Sequence, residues 1–377
     1  MAGIYAAFDV FPSSKGASTH IANFAQTLFD FTQGGLLCAL AGNYLPVSQT
    51  EGNTSIKRLR LRNVNYLQRA EAFSAFVEAN ANTVSDVKIA HFRDSWGGLP
   101  LLHPKRKYAT LYEVNGLPSI ELPYRYPYLS DDLIQKLKSR ELFCLQEVDA
   151  IVTPSQVTAD YLTNLGIDER KITVIQNGAI IPESHPKPTH LPQKYIIYFG
   201  ALQPWQGVDV LLKAFAGLKD YEDLYLLICN AGSKRMVKPY KKLAARLEIE
   251  QHVIWEQQLD QPDLWARVQH AIVSIAALKE NSRNVTQGCS PLKILESLAC
   301  GTPVIASNLP VVHELMQDNI HGKLVPAERP AMLSRAIRFL LDYPEAMEQM
   351  HTVSYIKNNF LWESKCNALK TIYEKLV

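Results

Sequence analysis

The chain has 377 residues, of which 47% are hydrophobic and 20% charged. That length exceeds what one hydrophobic core serves and predicts two domains, while the composition excludes a disordered, collagen-like or coiled-coil protein. Lysine and arginine number 39 against 37 aspartates and glutamates, a net charge of +2, too balanced for a protein whose affinity comes from neutralising nucleic-acid phosphates.

Ile4 to Phe11 reads as a buried strand. The small-residue turn Pro12 to Ser18 follows, then a helix with Ile21, Phe24 and Leu28 on one face and Ser18 or Thr19 as its N-cap. Further strands are predicted at Gly35 to Leu40, Val87 to Phe92, Tyr108 to Val114 and Ala150 to Thr153, with helices at Gln68 to Asn80 and Leu133 to Glu147. Asn177-Gly178 and the proline-rich run Pro182 to Pro188 have the composition of a stiff linker. Beyond it the alternation resumes, with strands at Tyr195 to Phe199, Leu224 to Cys229, Val253, Ala271 and Pro303 to Ala306, and helices at Val208 to Leu218 and Met236 to Leu247. Such alternation means parallel sheets covered by helices, here in two doubly wound α/β domains, 1–185 and 186–350, facing each other across a cleft. No apolar run approaches the ~18 residues of a membrane span. The start Met1-Ala2-Gly3-Ile4 lacks the basic residues and cleavage site of a secretory signal, which predicts a cytoplasmic protein. The six cysteines form no C-x-x-C pair and read as reduced core thiols.

The most informative segment runs from Gly288 to Ser307. Ser290 is placed to cap a helix, Pro291 suits its first position, and Gly301 with Pro303 ends it after about three turns. Amides of Leu292 and Lys293 at that positive helix end make an anion site, Lys293 adds a full charge, and Glu296 one turn on is spaced to accept bonds from two sugar hydroxyls. The alternative is a plain Lys293–Glu296 pair across the helix surface.

With Tyr198 to Leu202 and Trp205 to Asp209, this segment resembles the retaining GT-B glycosyltransferases of glycosyltransferase family 4. The likeness extends to the Lys15-Gly16-Ala17 loop, Val148 to Ser155, Ile172 to Gly178, His321 to Pro326 and the terminal Phe360, Trp362 and Tyr373. It implies an acceptor domain at 1–185, a nucleotide-sugar domain at 186–350, and a C-terminal segment, 351–377, that crosses back onto the first. Glu296 then matches the glutamate that binds ribose. Ser290, Pro291, Leu292 and Lys293 match the loop that meets the diphosphate, backbone at Gly288, Cys289 and Ser290 is expected to substitute for a carboxylate contact to the donor sugar, and Gly16, beside Ala17, matches the glycine that lets backbone approach the diphosphate.

The departures are as specific. The glutamate that many relatives carry eight residues before Glu296 is Gly288 here, the arginine after Gly200 is Ala201, and the lysine before Gly207 is Gln206. Lys293 is expected to supply the replacement charge, with Lys279 or Arg283 approaching from the preceding loop. The chain contains no Asp-x-Asp, the pair that metal-dependent glycosyltransferases use, so a mechanism with no metal and no resident cofactor is expected. On the acceptor side, His91, Glu113 and Asn115 follow predicted strands and are the candidates for handling an acceptor hydroxyl; the alternative for His91, and the reading for His20, is a structural histidine. Lys57 to Arg62 and Lys105 to Lys107 are basic clusters that either attract an anionic membrane or solvate an edge strand.

The resemblance implies a retaining, metal-independent transferase acting from a nucleoside diphosphate sugar, UDP favoured, on a glycan, lipid-linked or small-molecule acceptor, with peripheral contact at the inner membrane face as an option. A nucleotide-sugar epimerase and a non-catalytic nucleotide- or carbohydrate-binding relative are the alternatives.

Overall fold

The computed structural model describes residues 1–13, 16–42, 44–230, 232 and 234–377; Lys15 lies outside them. The chain divides into two compact units, Met1–Gln176 with Glu363–Val377, and Asn177–Trp362. These divisions differ from the expected breaks after 185 and 350, for a local reason. The proline-rich run is fastened to the second unit: His185 N donates to Gln269 Oε1 at 2.9 Å and the Gln269 amide donates to Glu183 O at 2.8 Å. The helix Thr352–Asn359 stays with that unit too, because Tyr355 stacks on His321 at 3.7 Å and Ala179 N donates to Phe360 O at 2.7 Å.

The first unit is built on β1 (Ala2–Val10), β2 (Gly35–Leu40), β3 (Ser48–Glu51), β4 (Thr54–Leu59), β5 (Val87–Phe92), β6 (Ala109–Glu113), β7 (Ala150–Thr153) and β8 (Ile172–Val174). They lie in the order β3-β4-β2-β1-β5-β6-β7-β8, parallel except where β3 runs against β4. The β3–β4 hairpin is not legible in the sequence, and it changes the meaning of the basic run. Arg58 sits in β4, inside the sheet rather than at its edge, and is 2% exposed. Its Nε donates to Phe11 O at 2.7 Å and its Nη1 to Pro46 O at 3.0 Å, while Arg60 donates to Leu45 O. These two arginines tie down neighbouring loops.

The second unit contains β9 (Lys194–Phe199), β10 (Leu224–Asn230), β11 (Val253–Gln257), β12 (Ser274–Ala276), β13 (Val304–Ser307) and β14 (Gly322–Val325). Their order is β11-β10-β9-β12-β13-β14, parallel throughout. Helices cover both faces of such a sheet, which is why Tyr195 to Phe199 is apolar without alternation and wholly buried. Both units are Rossmann-like. Strand order reverses between β1 and β5 in the first and between β9 and β12 in the second, and the carboxyl ends of strands at such reversals are where this architecture opens a crevice. None of the six cysteines is joined in a disulfide. Among the described residues no helix is long and apolar enough to cross a membrane.

Candidate functional site

At the reversal point of the second unit, the chain leaves β9 at Gly200 (φ +123°), makes a short turn at Pro204–Gln206 and enters the helix Val208–Phe215 through Gly207 (φ +67°). A Cβ on residue 207 would lie 1.7 Å from the Ala277 carbonyl oxygen just past β12, so only glycine lets this loop cross the strand ends. The loop after β12 is held against it. Asn284 donates to Trp205 O at 3.0 Å and to Lys279 O at 2.7 Å. Lys279 pairs with Asp209 at 2.9 Å, and the Arg283 guanidinium packs over the Trp205 ring at 5.4 Å. Lys279 is therefore committed to a structural ion pair rather than to the charge position vacated at Ala201 and Gln206.

The helix Leu292–Ala299 follows Gly288, Cys289, Ser290 and Pro291. It is eight residues long, shorter than the three turns expected, and its N-cap is Pro291 rather than Ser290. Ser290 instead anchors the loop from behind, where its carbonyl accepts from Asn177 Nδ2 at 2.6 Å and its Oγ faces Asn177 N at 3.4 Å. Asn177 is legible in the sequence only as a turn residue, since nothing there shows a partner 113 positions away. The first intrahelical bond runs from Ile294 N to Pro291 O, so the amides of Leu292 and Lys293 precede it.

Lys293 does not pair with Glu296 across the helix surface. Its Nζ donates to Gln206 Oε1 at 2.6 Å and lies over the Tyr198 ring, 4.0 Å from the centroid, beside Gly200. The lysine thus places its amine against the very loop where Ala201 and Gln206 lack a cation. Burial pushes its ammonium from 10.5 down to about 7, against the opposing pull of Cys289 and Glu296. Burial likewise lifts the Glu296 carboxyl to about 7, with Lys293 opposing. Gln206, Gly288, Cys289, Ser290, Pro291, Leu292, Lys293 and Glu296 all belong to this unit.

Gly16, Ala17, His91, Glu113 and Asn115 belong to the first unit, at its own strand reversal. The helix Gly16–Thr32 starts three or four residues earlier than an N-cap at Ser18 or Thr19 implies, and Ser18 accepts from Ser13 N at 2.9 Å instead of capping it. Glu113, at the end of β6, is 1% exposed and enclosed by polar partners. Tyr5 donates to its Oε2 at 2.7 Å, His20 Nε2 and Arg93 Nε lie 2.9 Å and 2.8 Å from Oε1, and His91 Nε2 lies 3.2 Å from Oε2. Asn115 donates to Oε1 as well. Burial alone would raise this carboxyl, yet the Arg93 charge, with His20 and His91 beside it, holds it well below the usual carboxylate range. Burial lowers His91 despite Glu113. His91 Nδ1 lies 2.6 Å from the Tyr373 hydroxyl, which a neutral imidazole accepts there. Arg93 also donates to Ala17 O at 3.1 Å.

His91 and Glu113 are thus interior groups that present no atom to an acceptor here. They join β1, β5, β6, the start of the first helix and the C-terminal helix Trp362–Leu376. Of the three acceptor-side candidates only Asn115 is partly exposed. His20, read as structural, is part of this cluster; Arg93 and Tyr373 are members that the sequence does not reveal, because their partners are distant along the chain. Among the described residues no three His, Cys, Asp or Glu side chains are grouped to hold a metal.

Two family models tile the chain: glycosyltransferase family 4 over residues 15–180 and glycosyl transferases group 1 over 181–356. The chain belongs to the group 1, family 4 glycosyltransferases. A relative in this family, the D-inositol 3-phosphate glycosyltransferase of Corynebacterium efficiens, is 24% identical over 309 residues, 75% of this chain and 67% of that protein. Matched stretches of this chain span between 40% and 68% of the length of its curated relatives. Two solved structures share the GT-B fold. Sucrose-phosphate synthase of Thermosynechococcus elongatus is 17% identical, with a TM-score of 0.80 over 100% of this chain and 99% of that one. The HepE protein of Anabaena, in complex with UDP-glucose, is 14% identical, with a TM-score of 0.75 over 100% of both chains.

Proposed function

We propose that this protein is a retaining glycosyltransferase that moves a sugar from a nucleoside diphosphate, UDP by preference, to an acceptor hydroxyl without a divalent cation. The observation that carries the reading is the placement of Lys293 Nζ against Gln206, beside Gly200, at the strand reversal of the second unit. A cation there meets a leaving diphosphate on which negative charge grows as the sugar bond breaks, and so favours the transition state over the bound donor. The amides that open the helix Leu292–Ala299 add partial positive charge on the same side. Glu296, one turn further on and partly exposed, is left to accept two ribose hydroxyls.

UDP is preferred because the HepE structure holds UDP-glucose. Relatives named for D-inositol 3-phosphate favour a small polyol phosphate as the first acceptor to try. The lack of an Asp-x-Asp supports cation-free chemistry in which the lysine and helix dipole carry the charge.

The test is product analysis with UDP-sugars and a panel of acceptors, in excess EDTA. A new glycoside with the donor's anomeric configuration is expected. An epimerised donor, hydrolysis alone, or activity that vanishes with EDTA and returns with magnesium or manganese would overturn the corresponding part of the reading.

A further inference from the structure

Lys293 carries a buried amine whose close partners are neutral. Around its Nζ stand, from β9, the face of Tyr198 at 4.0 Å, and from the following turn, Gly200 and the Gln206 carbonyl oxygen at 2.6 Å. Its own helix contributes Glu296, and the loop before it Cys289, whose Sγ lies 3.9 Å from Asn284 Oδ1. Among the described residues no carboxylate stands within ion-pairing distance of it. An ammonium has three N–H donors to satisfy, and this pocket offers one carbonyl oxygen and a ring face. A neutral amine has two N–H donors instead of three and no charge to desolvate, so with one N–H given to Gln206 it leaves less unmet in the same surroundings.

We propose that the nucleoside diphosphate is taken up together with a proton: Lys293 rests as a neutral amine positioned by Gln206 and Tyr198, and becomes an ammonium as the diphosphate arrives. The inference rests on the donor reading above. The proton comes from solvent, binds the Nζ lone pair, and leaves again when the nucleotide leaves. Burial supplies the driving force, because it lowers the Lys293 ammonium to about 7 when no anion is present. A diphosphate facing the group offsets that burial and returns the pKa toward its ordinary value. Gln206 is then a positioning residue. A lysine at 206 would be charged beside Lys293, whereas a glutamine accepts from either protonation state and holds the amine in place.

The linkage has a definite sign. Above pH 7 the free site must gain a proton to bind, so affinity falls as pH rises, by up to about tenfold per unit, until the bound-state pKa is reached. Glu296 acts in the opposite direction. Its carboxyl, lifted to about 7 by burial, must be ionised to accept ribose hydroxyls, so affinity also falls on the acid side. The two limbs meet near pH 7, and the alkaline one belongs to Lys293.

Isothermal titration calorimetry with UDP near pH 8, in buffers of different ionisation enthalpy, reads the proton directly as the slope of measured against buffer enthalpy. An uptake of more than about half a proton is expected, because above its pKa most of Lys293 is neutral while most of Glu296 is ionised. Lys293→Arg, whose guanidinium stays charged, should bind UDP with a slope near zero and lose the alkaline limb. Gln206→Glu, which sets a carboxylate against Nζ, should lower the slope in a protein whose melting shows it folded. UDP binding by the wild-type protein with no buffer dependence overturns the inference alone, as does an unchanged slope in Lys293→Arg. No binding heat from UDP, GDP or ADP overturns the donor reading and the inference with it.

Discussion

Glu113→Gln separates a structural carboxylate from a chemical one. The substitution keeps the shape of the side chain and removes its charge, taking from the Arg93 guanidinium the carboxylate 2.8 Å from its Nε, where both are less than a tenth exposed. Breaking a buried pair from one side costs about 3 to 5 kcal/mol. In a folding unit of this size each kcal/mol shifts Tm by about 2 to 4 °C, so the transition of the first unit should fall by roughly 6 to 20 °C. The Tyr5 hydroxyl and the Asn115 amide donate to the same carboxylate, and His20 and His91 stand against it, which argues for the upper half of that range. Scanning calorimetry resolves such a shift. The pH dependence has a fixed sign: the Glu113 carboxyl is held below its ordinary 4.5, so its stabilisation is complete above that value and is lost as pH falls through the depressed pKa. The deficit of the glutamine variant should therefore narrow only in strong acid. His91, kept neutral by burial, makes the wild-type protein lose stability as pH drops below 6.5. A Glu113→Gln protein that melts like the wild type but has lost kcat would refute this reasoning and return Glu113 to acceptor chemistry.

Glu296→Ala removes charge-assisted hydrogen bonds of about 1.5 to 3 kcal/mol each and should weaken UDP at least tenfold, with little further loss for the 2′-deoxy nucleotide; calorimetry showing unchanged affinity in a folded variant would end the ribose assignment. Lys293→Met should lower kcat by about a hundredfold and affect donor KM less; steady-state kinetics with a wild-type kcat would show that the lysine is only packed against Tyr198 and Gln206. Gly207→Ala forces a side chain into a left-handed backbone and onto the Ala277 carbonyl, at a cost of about 3 kcal/mol or more. Its thermal transition should drop accordingly, and an unchanged Tm would mean that the crossing loop is not held where it lies.

Much of the fold was legible because its signals are local. Apolar runs such as Tyr195 to Phe199, placed between helical spacings, announce strands buried on both faces, and a succession of them requires parallel sheets. The Gly288 to Glu296 segment showed an anion-binding helix start and a carboxylate one turn on, since capping residues and a 3.6-residue period act over a few positions. The strand Thr54–Leu59 was half hidden, because alternating arginines suggest a solvated edge until the carbonyls of Phe11 and Pro46 are brought beside them. The proline-rich run looked like a linker because composition records stiffness but not its hydrogen bonds to Gln269.

Tertiary structure decided the assignments of charge. Whether Lys293 turns to Glu296, three residues away, or to Gln206, 87 residues away, depends on a rotamer and a loop position that no helical period encodes. The same holds for Glu113: a carboxylate at a strand end is equally suited to meet a substrate or to lock a core. Only the convergence of Tyr5, His20, His91 and Arg93, with Tyr373 behind His91, makes it the latter. Sequence by itself determined which groups were available and which backbone would carry them. Burial and distant partners determined which of those groups are sealed in the interior and which are left for a ligand, because desolvation and pairing are properties of the packed chain.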